Sequence, residues 1–182
     1  MRTLHYRGCA ASYAGPTTMP SVERWLDLYD RCPPHARDRV RCALFLKSET
    51  RSADLVLVLA EATGPFMPFH LVVARLRRED AVEPLLSLID HPGVLQRCVA
   101  AEALGDIGDQ RAGVELTRLL DDPDYSVRIF AIVGVGRIAN PNTYDALISR
   151  YKRAAKEDWH FRNALEQSLA RFNIPFDRHL DQ

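Results

Sequence analysis

Apolar residues recur at three- and four-residue spacing along most of the chain, in stretches broken by short runs rich in Pro, Gly, Asp and Asn. That period belongs to amphipathic helices, and strand-like alternation is scarce. Ser21 is placed to N-cap a helix over Val22–Cys32, with Trp25, Leu26, Leu28 and Tyr29 on its apolar face. Pro33 and Pro34 stop it, and a second helix follows over Ala36–Lys47. Ser52 is a cap for Ala53–Thr63, and Phe66–Arg78 carries Pro68 in its first turn, where a missing N–H costs little. Beyond this point the pattern predicts helices over Asp80–Ile89, Val94–Ile107, Arg111–Leu120, Tyr125–Ala139, Thr143–Ala155 and Trp159–Phe172. Asp80, Asp124 and Asp158 stand where N-caps are wanted. The sum is ten helices in five pairs joined by short links.

The pairs repeat. A shift of 31 residues lays Leu85 on Leu116, Leu88 on Leu119, Asp90 on Asp121 and Pro92 on Pro123. It also lays Arg97 on Arg128, Ala100 on Ala131, Gly105 on Gly136 and Ile107 on Ile138. A further shift of 34 brings Arg128 onto Arg162 and Arg137 onto Arg171. Helix pairs at a fixed period form a solenoid, because each pair buries its apolar face only by stacking on the next. The chain divides accordingly into an N-terminal tail over 1–20, divergent helix pairs over 21–79, two well-formed repeats over 80–140, a capping repeat over 141–173 and a tail over 174–182. The first segment reads as disordered, or as sequence preceding a true start at Met19.

The run from Ala100 to Asp109 (AAEALGDIGD), followed by Arg111 and Ala112, resembles a HEAT-like repeat of the phycobilisome-lyase type, as does Asp121-Asp122-Pro123 leading into Val127 and Arg128. The resemblance implies an all-α, right-handed α-solenoid of about five HEAT-like helix pairs. It also implies a set of possible roles: scaffold, adaptor or inhibitor for another protein, bilin or tetrapyrrole lyase or lyase subunit, or a DNA-binding alkylpurine glycosylase. Fold alone does not choose among them.

Charge narrows the choice. Lys+Arg and Asp+Glu are 24 each, so the formal net charge is zero, where a nucleic-acid binder carries a basic excess. Only Lys47, Lys152 and Lys156 are lysines, the other basic residues being arginines, which reads as codon bias. The longest apolar run, Leu55 to Ala60, is far shorter than the ~20 residues of a membrane span. Cys9, Cys32, Cys42 and Cys98 fit no zinc or disulfide framework and suggest a reducing, cytoplasmic setting. No His-Glu dipeptide, paired-histidine spacing or serine-nucleophile motif occurs, so the chain reads as non-enzymatic, with no catalytic residue, metal or cofactor assigned.

The partner surface is then sought on the second helix of each pair. Val127–Ala139 is apolar nearly all round, more than stacking requires. At the positions of Ile129 and Val133 the preceding repeat has Cys98 and Glu102, and the following one Asn163 and Gln167. An apolar centre with polar flanks describes an interface. The expected concave site comprises Arg97, Cys98, Glu102, Ile129, Ile132, Val133, Asn163 and Gln167. A structural ladder is expected to join Arg97, Arg128 and Arg162 to Asp90, Asp121 and Asp158 of the turns. Gly105, Gly108, Gly134 and Gly136 are expected to serve packing, the mid-helix Gly134 and Gly136 by permitting close helix approach, and Trp159 is expected to close the last repeat. Arg37, Arg39 and Arg41, and the group Arg150, Lys152, Arg153 and Lys156, read as solvated faces.

Overall fold

The computed structural model describes residues 21–46, 50–65, 67–154 and 158–174. The N-terminal tail and positions 175–182 of the C-terminal one lie outside the described residues, and so do Lys47 and Lys156; the side chain of Arg39 is likewise not described. Among the described residues ten α-helices follow one another: α1 (Val22–Arg31), α2 (Pro34–Leu46), α3 (Ser52–Ala60), α4 (Phe69–Leu76), α5 (Val82–Leu86), α6 (Val94–Ile107), α7 (Gln110–Leu116), α8 (Tyr125–Ile138), α9 (Tyr144–Arg153) and α10 (Trp159–Leu169). Short 3₁₀ turns at Glu79–Ala81, Thr117–Asp121, Pro141–Thr143 and Ala170–Phe172 complete them. There is no strand among the described residues.

Local chemistry explains most boundaries. The Ser21 hydroxyl accepts from the Arg24 N–H at 3.4 Å, the Asp124 carboxylate from Ser126 and Val127 N–H, and the Asp158 carboxylate from Phe161 N–H. Each supplies a partner to a helix-start donor that has none within the helix. Two expected caps do other work. Ser52 sits inside the first turn of α3 and its hydroxyl donates to the Asp80 carboxylate at 3.0 Å, so that pair joins two repeats instead of capping two helices. Pro68 occupies the N-cap position of α4 rather than its first turn. At the C-terminal ends the repeat is written in backbone geometry: Gly108, Ala139 and Asn173, at corresponding positions, have φ of +80°, 48° and 53°. That left-handed residue turns the chain after α6, α8 and the last 3₁₀ turn, and only the first is a glycine.

The helices form two layers. α3, α5 and α7, then the 3₁₀ turn at Thr117–Asp121 and α9, make one; α4, α6, α8 and α10 make the other, with α6 between α4 and α8. The α6–α8 seam is the most intimate, and glycines create it. A Cβ on Gly105 would lie 2.6 Å from Gly134 Cα, and one on Gly134 would lie 2.8 Å from the Ala101 carbonyl oxygen. Gly136 does the same for α10, where Ser168 would be met at 2.5 Å.

Buried polar side chains tie each repeat to the next through backbone carbonyls. Gln96 donates to the carbonyls of Leu59 in α3 and Ala62 just after it, and the partly buried Arg75 to that of Phe45 in α2. Arg150 donates to the Leu120 carbonyl. Arg41, 4% exposed, donates to the Val58 and Glu61 carbonyls and the Tyr29 hydroxyl. Arg41 and Arg150 are therefore core-facing, not part of solvated faces; each guanidinium satisfies carbonyls that helix ends leave open. The arginine bias thus has a structural use at these positions. The architecture is an all-α solenoid, and among the described residues no helix is long and apolar enough to cross a membrane.

Candidate partner-binding surface

Residues at i, i+3, i+4 and i+7 share a helix face. On α8 the burial pattern shows which one is turned from the first-helix layer: Ser126, Ile129, Phe130, Val133 and Arg137 are partly or fully exposed, while Val127, Ala131, Gly134, Val135 and Ile138 are buried. Ile129 and Val133 are thus half-buried apolar residues on the open side of the second-helix layer. Phe130 meets Phe69 of α4 at 5.0 Å between ring centroids, the ring planes tilted by 31°, a contact that reaches past α6. The sequence pattern did not mark Phe69, because nothing in a 31-residue period links α4 to α8.

A row of charge runs beside this strip. Arg137 binds Glu102 at 2.9 Å and Asp106 at 2.7 Å, and Arg77 of α4 reaches Asp106 at 3.2 Å. Two cations and two carboxylates alternate across three helices and leave no net charge. Asn163 is partly buried and Gln167 exposed on α10, extending the polar side. Of the eight residues expected to form the site, Glu102, Ile129, Val133, Asn163 and Gln167 therefore retain some surface.

The other three are placed differently. Ile132 is fully buried and faces α10, its carbonyl accepting from the Ser168 hydroxyl at 2.9 Å. Cys98 is 5% exposed, and burial pushes its thiol up to about 11. Arg97 is only partly buried, with 11% of its side chain exposed, but its guanidinium is engaged within the protein. Its Nε and Nη2 donate to both oxygens of Asp122 at 2.7 and 3.0 Å, and Nη1 to the carbonyls of His91 and Pro92. That bidentate contact raises the Arg97 pKa, as a guanidinium with a carboxylate in its fork must show.

The ladder therefore departs from expectation in its carboxylates. Asp122, not Asp121, forms the rung, and it belongs to the turn after the next helix. Asp90 binds Arg118 on the surface, and Asp121 binds Arg153 and Arg150. Asp158 takes the α10 N-cap and the Tyr125 hydroxyl. Arg162 donates to the Tyr151 hydroxyl and lies over its ring. Arg128 repeats only part of the Arg97 arrangement: Nη1 donates to the Asp122 and Pro123 carbonyls, while Nε is shielded from water without a hydrogen-bond partner. Self-alignment favoured Asp121 because it matches Asp90 by identity; the working carboxylate one residue later has His91 as its counterpart.

Trp159 does not close the final repeat. It is 69% exposed and meets only His160, edge-on, among the ring contacts of the described residues. There is no cluster of three or more metal-ligating side chains among the described residues.

Two stacked layers of paired helices, with each repeat bonded to its neighbour, define a HEAT-like repeat solenoid. Residues 96–122 match the PBS lyase HEAT-like repeat, a span containing the Arg97–Asp122 rung. Among solved structures the chain is similar to a designed armadillo repeat protein in complex with the peptide (KR)4, at 15% identity and a TM-score of 0.57, covering 84% of this chain and 82% of that one. It is similar also to an engineered protein known from its crystal structure, at 17% identity and a TM-score of 0.53 over 85% and 80% of the two chains. No curated protein matches the sequence.

Proposed function

We propose that this protein is a non-enzymatic interaction module that binds another protein across its second-helix layer. The observation that carries the reading is the strip formed by Ile129 and Val133. It is apolar, partly open to water, and bordered by the Glu102–Arg137–Asp106 row on one side and by Asn163 and Gln167 on α10. Burying such a strip gains roughly 25 cal/mol per Å² of apolar surface, and the flanking polar groups fix register. The designed armadillo relative was solved holding a peptide, which supports peptide capture by a related layer of helices.

The test is affinity capture from the source cells with the wild-type chain and with Val133→Glu. Val133 is partly exposed on the open face, so the variant keeps its helical circular dichroism while the captured protein is lost. Retention of the same protein by folded Val133→Glu overturns the proposal. The matched repeat family carries the name of a lyase, so a bilin titration followed by absorbance is the companion measurement. A saturable spectral change on the wild-type chain would favour the tetrapyrrole reading instead.

A further inference from the structure

The last two helices of the second layer present one row twice. Ile129, Val133 and Arg137 stand at i, i+4 and i+8 of α8, and a shift of 34 residues lays them on Asn163, Gln167 and Arg171. The rows run side by side. A Cβ on Gly136 would meet Ser168, so Arg137 adjoins that crossing, and the 3₁₀ turn carrying Arg171 packs against α8. Each row is uncharged until its last member, and each ends on a guanidinium.

The charges of this face do not balance. Arg137 uses a single nitrogen, Nη1, on Glu102 and Asp106 of α6. Its Nε and Nη2 have no partner among the described residues, and the side chain is 31% exposed. Arg171 is exposed and makes no hydrogen bond or ion pair among the described residues. Arg77, just after α4, takes the other oxygen of Asp106. Three guanidiniums therefore stand against two carboxylates, and both carboxylates are already paired. The remaining charges of α10 turn to α9, where Arg162 donates to the Tyr151 hydroxyl and that hydroxyl to Glu166.

The spare polar capacity here is that of donors, and the surplus charge is positive. Glu102 and Asp106 also hold Arg137 in place, which reduces the entropy lost when it takes a second anion. Arginines at one level of adjacent helices, whose axes lie about 8–10 Å apart, can converge on one carboxylate. Spacing adds a register. Four residues of α8 rise about 6 Å, and alternate side chains of an extended chain are about 6.6 Å apart. A segment lying along α8 places residues i and i+2 on Ile129 and Val133, and residue i+4 at the arginines.

We infer that the partner of this face contributes an extended segment of the form apolar-x-apolar-x-acidic, its Asp or Glu carboxylate bound between Arg137 and Arg171. This rests on the interaction reading above and adds to it the partner's chemistry: acidic, rather than basic or neutral.

The test titrates the full ¹⁵N-labelled chain with the peptide acetyl-Leu-Ser-Leu-Ser-Glu-amide and with its Gln and Lys counterparts. The Glu peptide is expected to move the Arg137 and Arg171 Nε–H signals saturably. The Gln peptide is expected to bind about tenfold more weakly, and the Lys peptide not to bind. Arg171→Gln removes no contact within the described residues, so it keeps the wild-type melting temperature while Glu-peptide binding falls about tenfold. No saturable movement of those signals, equal affinity for the Glu and Gln peptides, or full Glu-peptide binding by Arg171→Gln overturns the inference. So does a response that emerges only in Asp177→Asn/Asp181→Asn, which would make this chain's own carboxylate the occupant. Val133→Gln, a neutral change, separates the inference from the reading beneath it. If the peptides bind equally and Val133→Gln abolishes them all, the face stands as an interface and only its acidic preference falls. If Glu-peptide binding is undiminished in folded Val133→Gln, both fall.

Discussion

Gly105→Ala tests the α6–α8 seam. The added Cβ would lie 2.6 Å from Gly134 Cα, where nonbonded carbons rest at about 3.5–4.0 Å. The obstructing atom is backbone, so no rotamer change relieves the clash. α6 must retreat from α8 by roughly 1 Å, loosening the contacts on either side of the crossing. Overpacking costs about 1–3 kcal/mol; an unyielding backbone obstacle places this case at about 2–3 kcal/mol, of which the better helix propensity of Ala offsets about 1 kcal/mol. The net loss is about 1–2 kcal/mol, which lowers the melting temperature of a chain this long by about 2–8 °C. Thermal unfolding followed by far-ultraviolet circular dichroism reads this directly. Gly64→Ala is the control, since a Cβ there meets nothing within 4 Å. A Gly105→Ala protein melting at or above the wild type would refute the argument that backbone contact sets the spacing of these helices.

Two further outcomes follow from the geometry. Ala139→Gly is expected to stabilise the chain by about 1 kcal/mol, because Ala139 sits at φ 48°, where a Cβ is unfavourable, and its counterpart Gly108 already has none; a lower melting temperature would contradict this. Cys98 is expected to react with a maleimide more slowly than Cys32 at neutral pH, because its thiol stays protonated up to about 11 and is buried. Peptide mass mapping of the labelled chain measures the order, and early labelling of Cys98 would show that α6 opens.

The helices were legible because their caps are local. Asp124 and Asp158 each act within three residues, and the period of α6 and α8 survives any tertiary detail. Val94–Ile107 is recovered end to end for that reason. The site was less legible because its contacts cross repeats. Whether Arg97 faces a partner or Asp122 depends on how far one pair is rotated over the next, which no spacing within a single repeat encodes. Ile132 reads as surface only if α10 is left out, and Trp159 reads as a cap only if a further surface exists for it to cover. Arg41 and Arg150 were indistinguishable by pattern from solvated arginines; the carbonyls they satisfy lie 17, 20 and 30 residues away.

The Phe69–Phe130 contact has a consequence for how the array comes apart. In a solenoid whose units touch only their immediate neighbours, loss propagates link by link from either end. Here two rings form a bridge that skips a unit, fastening α4 to α8 past α6. Separating α4 from α8 requires breaking that contact, worth about 0.5–1.5 kcal/mol, so it couples the opening of these two helices directly. α10 lies beyond its reach and is held to α8 by other means, the Ser168 hydroxyl donating to the Ile132 carbonyl.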